Sequence, residues 1–104
     1  MPKINLKKMI SSADKACSLM KVLSNRDRMM ILCEISQSEY CVSELESKLE
    51  ILQPTLSQQL SVLRNEKLVK TRRHGKQIYY SVASAEALAV IEVLYEQFCK
   101  KSKK

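Results

Sequence analysis

The sequence predicts a mainly α-helical domain closed by one small β-hairpin, and three observations carry that expectation. Residues 53–66 have the apolar spacing of a helix and open on Gln53-Pro54. Residues 68–82 follow at once as two short runs rich in β-branched and aromatic residues, with the only glycine of the chain, Gly75, between them. Basic residues are concentrated there: Arg64, Lys67, Lys70, Arg72, Arg73 and Lys76 stand against Glu66 alone. A helix running directly into a basic hairpin is how a winged helix-turn-helix addresses DNA, the helix in the major groove and the hairpin on flanking backbone or minor groove.

The elements follow in order. Residues 5–23 form the first helix, with Leu6, Met9, Ala13, Ala16, Met20 and Leu23 recurring at helical spacing. Ser24 to Asp27 reads as a stop and restart, with Ser24 and Asp27 as a capping box. The second helix runs to about Ile35 with Leu32 and Ile35 inward, and Ser36 to Cys41 is a short polar connection. Ser43-x-x-Glu46 is a second capping box, so the third helix starts near Glu44 and ends near Leu49. Pro54 suits the first turn of the fourth helix, where a missing N–H costs nothing, and Leu56, Leu60 and Leu63 are its inward stripe. Strands over Leu68–Arg73 and Gln77–Val82 meet at a tight turn on His74-Gly75. Residues 84–100 form the fifth helix. Its middle, Ala87 to Leu94, is apolar almost all round, as in a helix covered on more than one side. In a small chain the second cover of this helix is another subunit. The helix-turn-helix spans 43–66 and the wing 68–82, within one domain over 1–104.

Bulk properties agree. At 104 residues the chain has the size of one domain, with a core modest enough to gain from oligomerising. A hydrophobic content of 45% excludes general disorder, and a net charge of +7 favours a polyanionic partner. The segment from Glu34 to Glu50 is instead acidic, so the positive charge is focused on the hairpin. The lysines at 100, 101, 103 and 104 read as a solubilising end. No secretory signal and no run of membrane-spanning length is evident, which implies a cytoplasmic protein without membrane association. There, four cysteines are core thiols, metal ligands or redox sensors rather than structural disulfides.

The predicted DNA surface is Gln53, Thr55, Ser57 and Gln58 for base edges, Arg64 nearer phosphate, and Arg72, Arg73, Lys76 and Gln77 around the wing turn. The alternative for the helix alone is an ordinary solvated polar face; the adjoining basic hairpin favours DNA. His74, the only histidine, is a turn residue or phosphate neighbour. With no phosphate loop and no nucleophile–histidine signature, an enzyme is not expected, and no cofactor is implied.

Leu23-Ser24-Asn25-Arg26-Asp27-Arg28, Cys41-Val42-Ser43-Glu44-Leu45, the run Gln53 to Leu60 and Gly75-Lys76-Gln77-Ile78-Tyr79-Tyr80 together resemble the ArsR/SmtB family of dimeric winged-helix repressors over nearly the whole chain. The first motif departs from the family's Leu-Ser-x-Pro-x-Arg in lacking the proline. Within the family the chain resembles the BigR-like, sulfide-responsive branch, whose signature is one cysteine in the second helix and one near the end of the fifth, here Cys33 and Cys99. The resemblance implies a homodimer through the first and fifth helices, an inverted-repeat operator, and repression of sulfide-detoxification genes released when a persulfide or polysulfide modifies Cys33 and Cys99. By spacing, Cys99 shares the stripe of Leu88 and Tyr95 and is expected to face packed structure, while Cys33 lies at the edge of the second helix's stripe. The bland alternative is two inert buried thiols. Cys17 reads as core or interface packing. Cys41 precedes the third helix, where metal-sensing relatives place a Cys-x-Cys pair, but Ser43 stands at the second position and the fifth helix has no histidine. A metal-responsive repressor of the same fold, and an inducer-free architectural or antirepressor DNA-binding protein, stay open as alternatives.

Overall fold

A computed structural model of the chain describes residues 3–100. Helix α1 (Leu6–Leu23) leads into α2 (Arg26–Ile35), then strand β1 (Tyr40–Cys41), α3 (Val42–Leu49) and α4 (Thr55–Asn65). Strands β2 (Val69–His74) and β3 (Gln77–Val82) form the wing, and α5 (Ala85–Tyr95) continues into a π-helical turn at Glu96–Lys100. Five α-helices and the wing stand where the sequence places them. No helix among the described residues is long and apolar enough to cross a membrane.

The core gathers where α2, α3 and α4 meet the root of the wing. Leu23, Ile31, Leu32, Leu45, Leu56, Leu60 and Leu63 are fully buried there, and Leu68, Val69, Ala87 and Ile91 extend the same cluster. The predicted stripe of α4 is therefore its anchor. With Leu56, Leu60 and Leu63 turned inward at i, i+4 and i+7, the opposite face must be solvent-facing.

The helix caps differ from those expected. Helix α2 is capped by Asn25, whose Oδ1 accepts the Arg28 N–H at 3.0 Å, and not by a Ser24–Asp27 box. The Ser24 hydroxyl is already committed to the Lys21 carbonyl at 2.8 Å, closing α1. Helix α3 begins two residues before the position expected from Ser43 and Glu46. The Cys41 N–H donates to Glu44 Oε1 at 3.0 Å, so Glu44, and not Glu46, is the acidic half of the box.

The wing gains a third strand. The sheet order is β1-β3-β2, antiparallel, with Tyr40 opposite Tyr80 and Cys41 opposite Tyr79. A strand of two residues is too short to show alternation in a sequence. The hairpin turn is also one residue further along. His74 still pairs with Gln77, so Gly75-Lys76 are the two turn residues. Gly75 has φ +62°, as the first central position of a type II′ turn requires.

Outside the core cluster, the apolar faces of α1 and α5 are uncovered in a single chain. Of the α1 stripe only Leu23 is fully buried, while Leu6, Met9 and Met20 are exposed, as are Ile10 beside them and Val93, Tyr95 and Phe98 at the C-terminal end. Cys17 on α1 is exposed too, so the core reading for it fails. Lys100 pairs with Glu96 at 3.2 Å; the remaining lysines of the tail, at 101, 103 and 104, lie outside the described residues.

Candidate nucleic-acid interface and thiol pair

Helix α4 is anchored by its leucines, so its remaining positions are set for contact. Gln53, Thr55, Ser57, Gln58 and Arg64 are all exposed. Two of them are bonded to each other. Gln53 Oε1 accepts from both the Ser57 N–H (3.0 Å) and the Ser57 hydroxyl (2.7 Å). The side chain thus satisfies an orphan donor of the first turn, which Pro54 at the cap position has no side-chain group to serve. That leaves the Gln53 amide nitrogen as a donor and the Ser57 hydroxyl oxygen as an acceptor, beside the side chains of Thr55 and Gln58.

On the wing, Arg72, Arg73, Lys76 and Gln77 are exposed. Arg72 differs from its neighbours. Its Nη2 and Nε reach Glu39 Oε1 at 2.6 and 3.0 Å, and its guanidinium lies 5.1 Å from the Tyr79 ring centroid, its cross-strand partner. The hydrogen bond from Arg72 holds the Glu39 carboxyl below the usual carboxylate range and raises Arg72 in turn. Glu39 is the residue that sequence reasoning missed. It was visible only as one member of an acidic segment, and nothing local marks a pairing across 33 residues. Arg73 Nε, by contrast, reaches only the Gly75 carbonyl, at 3.4 Å.

The two thiols singled out in the sequence come within electrostatic reach of one another. Cys33 is half-buried on α2 and lines an open groove of about 730 Å³ with Ser36, Gln37, Leu88, Ile91, Glu92 and Tyr95. Burial pushes the Cys33 thiol up, and the neighbouring charges of Cys99 and then Glu34 push it further in the same direction. Cys33 is thus held as a thiol. Cys99 does not face packed structure as its spacing suggested; it is exposed, in the π-helical turn. The wider turn breaks the register that the α-helical spacing from Leu88 through Tyr95 assumed, and Tyr95 is itself exposed. Cys41 is buried at the start of α3 with its Sγ 3.3 Å from Ser43 Oγ. Among the described residues no group of three or more His, Cys, Asp or Glu side chains is arranged to hold a metal ion.

Known proteins share this architecture. Residues 25–71 match the pattern of bacterial regulatory proteins of the arsR family. The chain is 48% identical over 96 residues to the biofilm growth-associated repressor of Agrobacterium fabrum, covering 92% of this chain and 82% of that one. Among solved structures it is similar to the transcriptional repressor BigR from Xylella fastidiosa, with TM-score 0.88 and 42% identity over 92% of this chain and 98% of the other. It is also similar to reduced HlyU from Vibrio cholerae, with TM-score 0.83 and 39% identity over 89% and 98% of the two chains. With a relative this similar over most of both chains, and with α4 and the wing in place, the chain belongs to the arsR family of bacterial regulatory proteins.

Proposed function

We propose that this chain is a homodimeric transcriptional repressor that leaves its operator when Cys33 and Cys99 are linked. The carrying observation is that Cys33 lines a groove between α2 and α5 while Cys99, 66 positions on, lies in the turn that continues α5, near enough for the charge of one thiol to act on the other. The similarity to BigR and to the biofilm growth-associated repressor supports the repressor role; the persulfide or polysulfide inducer rests on the resemblance of the Cys33 and Cys99 positions to the BigR-like signature. Two copies of α4 enter successive major grooves about 34–36 Å apart, so the operator is an inverted repeat. Gln53, Thr55, Ser57 and Gln58 face the bases. Arg64, Arg73, Lys76 and Gln77 face the backbone or a narrow minor groove.

The exposure of Cys99 and the partial burial of Cys33 support distinct roles within the pair. Cys99, open to solvent, attacks the outer sulfur of a persulfide R–S–SH as thiolate. It forms Cys99–S–SH and releases R–S⁻. Cys33 then attacks the inner sulfur, its proton leaving with the expelled sulfide as hydrogen sulfide. A Cys33–Cys99 disulfide results; the two thiols are oxidised and the sulfane sulfur is reduced. The link ties α2 to the end of α5. A coupling of ~1–3 kcal/mol between that link and DNA binding weakens affinity about 5–150-fold.

The test is titration of inverted-repeat DNA by fluorescence anisotropy. Reduced protein is compared with protein treated with glutathione persulfide, and the product is read by intact mass. Weaker binding with a mass for linked Cys33 and Cys99 supports the proposal. A Cys99→Ser protein that still releases DNA under persulfide refutes the pair mechanism. A promoter-reporter arm decides repression against activation, the role named for HlyU of Vibrio cholerae. The metal-responsive alternative predicts release by stoichiometric zinc from reduced protein. The inducer-free architectural alternative predicts no dependence on thiols or operator sequence.

A further inference from the structure

Arg28 occupies the junction between the dimerisation helix and the reading helix. Its guanidinium is half-buried and makes two side-chain bonds in opposite directions. Nε donates to the Val22 carbonyl at 2.8 Å, in the last turn of α1. Nη1 donates to Gln59 Oε1 at 2.8 Å, on α4 and 31 residues away in sequence. Its own backbone N–H is fixed by the Asn25 cap at 3.0 Å.

The first bond has a structural explanation. The last carbonyls of a helix lack i+4 partners, and a cation there also meets the negative end of the helix dipole. That role would be complete without Gln59. The second bond is not required by helix capping. It uses the planar fork of the guanidinium to hold two acceptors at a fixed separation, which an ammonium at this site would not do. Gln59 sits between the buried Leu56 and Leu60 and the exposed Gln58, so it fixes the roll of α4 about its own axis at the place where the helix turns from core to contact surface.

We propose that Arg28 is a positioning residue. Together with Gln59 it locks the orientation of the reading helix to the C-terminus of α1, so that sequence discrimination on DNA follows the placement of the dimerisation helices. This rests on the reading of α4 as the DNA-contacting helix. A mis-rolled α4 loses contacts to base edges first, because these are directional, while phosphate contacts tolerate small rotations. The signature of the clamp is therefore a fall in specificity at nearly constant stability.

The experiment uses the full chain as a reduced dimer and two probes, an inverted-repeat operator and scrambled DNA of the same length. Gln59→Met removes only the α4 branch and leaves the Arg28–Val22 bond. It is expected to keep the dimer, to unfold near the wild-type midpoint, and to lose about five- to tenfold of the operator-over-scrambled ratio. In an Arg28→Lys background the same substitution is expected to change that ratio less than twofold. An unchanged ratio in Gln59→Met overturns the clamp. So does a loss of the same size in the Arg28→Lys background, since Gln59 would then act on DNA directly. Wild-type protein that binds operator and scrambled DNA alike overturns the underlying DNA reading and the clamp with it.

Discussion

The pairing of Glu39 with Arg72 makes a quantitative prediction about DNA binding. Arg72 stands among the basic residues of the wing but is bound twice by Glu39 Oε1 and lies against Tyr79. If that pair persists on DNA, Arg72 neutralises no phosphate. Glu39→Gln removes the charge that holds it and a carboxylate that repels the duplex. Each phosphate neutralised steepens the dependence of log affinity on log salt by about 0.9, so two wings of a dimer add about 1.8. From 50 to 200 mM salt, the affinity advantage of Glu39→Gln over wild type should shrink about twelvefold. Anisotropy titrations at four or five salt concentrations read the slope directly. Arg72→Ala supplies the control, leaving the wild-type slope unchanged while abolishing the increment in the Glu39→Gln background. Superimposed wild-type and Glu39→Gln curves would refute the reasoning. So would an Arg72→Ala protein whose slope is already shallower by about 1.8, because Arg72 would then abandon Glu39 for phosphate on binding.

Further expectations follow from burial, charge and backbone geometry. Because burial, Cys99 and Glu34 all raise the Cys33 pKa, alkylation of Cys33 followed by peptide mass should show a pH midpoint above the ordinary thiol range. That midpoint should fall in Cys99→Ser, and an ordinary midpoint in wild type would contradict the assignment of Cys33 as the resolving thiol. Gly75→Ala meets no atom within 4 Å, so its cost is the φ of +62° alone. About 1–2 kcal/mol is expected, read by urea unfolding. A larger loss would mean that the wing tip packs on something else. Leu60→Ala empties a site only 2% exposed and should cost about 2–5 kcal/mol by the same measurement.

Much of this fold is legible in the sequence because helical spacing and turn chemistry are local. The α4 stripe of Leu56, Leu60 and Leu63 and the glycine of the hairpin need only near neighbours to be recognised. What escapes depends on competition or distance. Ser24 and Asn25 are both good caps, and the backbone decides between them, since Ser24 is still αR at the end of α1 while Asn25 is extended, as an N-cap requires. The Cys41–Glu44 box competes with Ser43–Glu46 in the same way. β1 exists because β3 offers it an edge, not because two residues prefer extension. The Arg72–Glu39 and Arg28–Gln59 bonds join residues more than thirty positions apart, where no periodicity reaches. The surfaces proposed to face DNA and sulfur are thus partly readable as residue types, while the bonds that restrain them are visible only in three dimensions.

The apolar surfaces of α1 and of the α5 end bind these features into one argument. Leu6 and Ile10 are 68% and 67% exposed, and Phe98 is 71% exposed. A chain of this size has a modest core and gains further stability by covering such faces. If a second copy covers them, unfolding must depend on protein concentration, since folding and association then share one equilibrium. The placement of the thiols follows from the same geometry. Val93 and Tyr95 line the groove of Cys33 and are themselves among the uncovered residues, so a Cys33–Cys99 link acts at the edge of the proposed dimer surface. From there α1 and the Arg28 clamp lead to α4. Measuring dimer dissociation for reduced and linked protein separates two routes. A link that releases DNA and loosens the dimer together acts through the interface. A link that releases DNA with dimer dissociation unchanged acts through α2, which carries both Cys33 and Arg28.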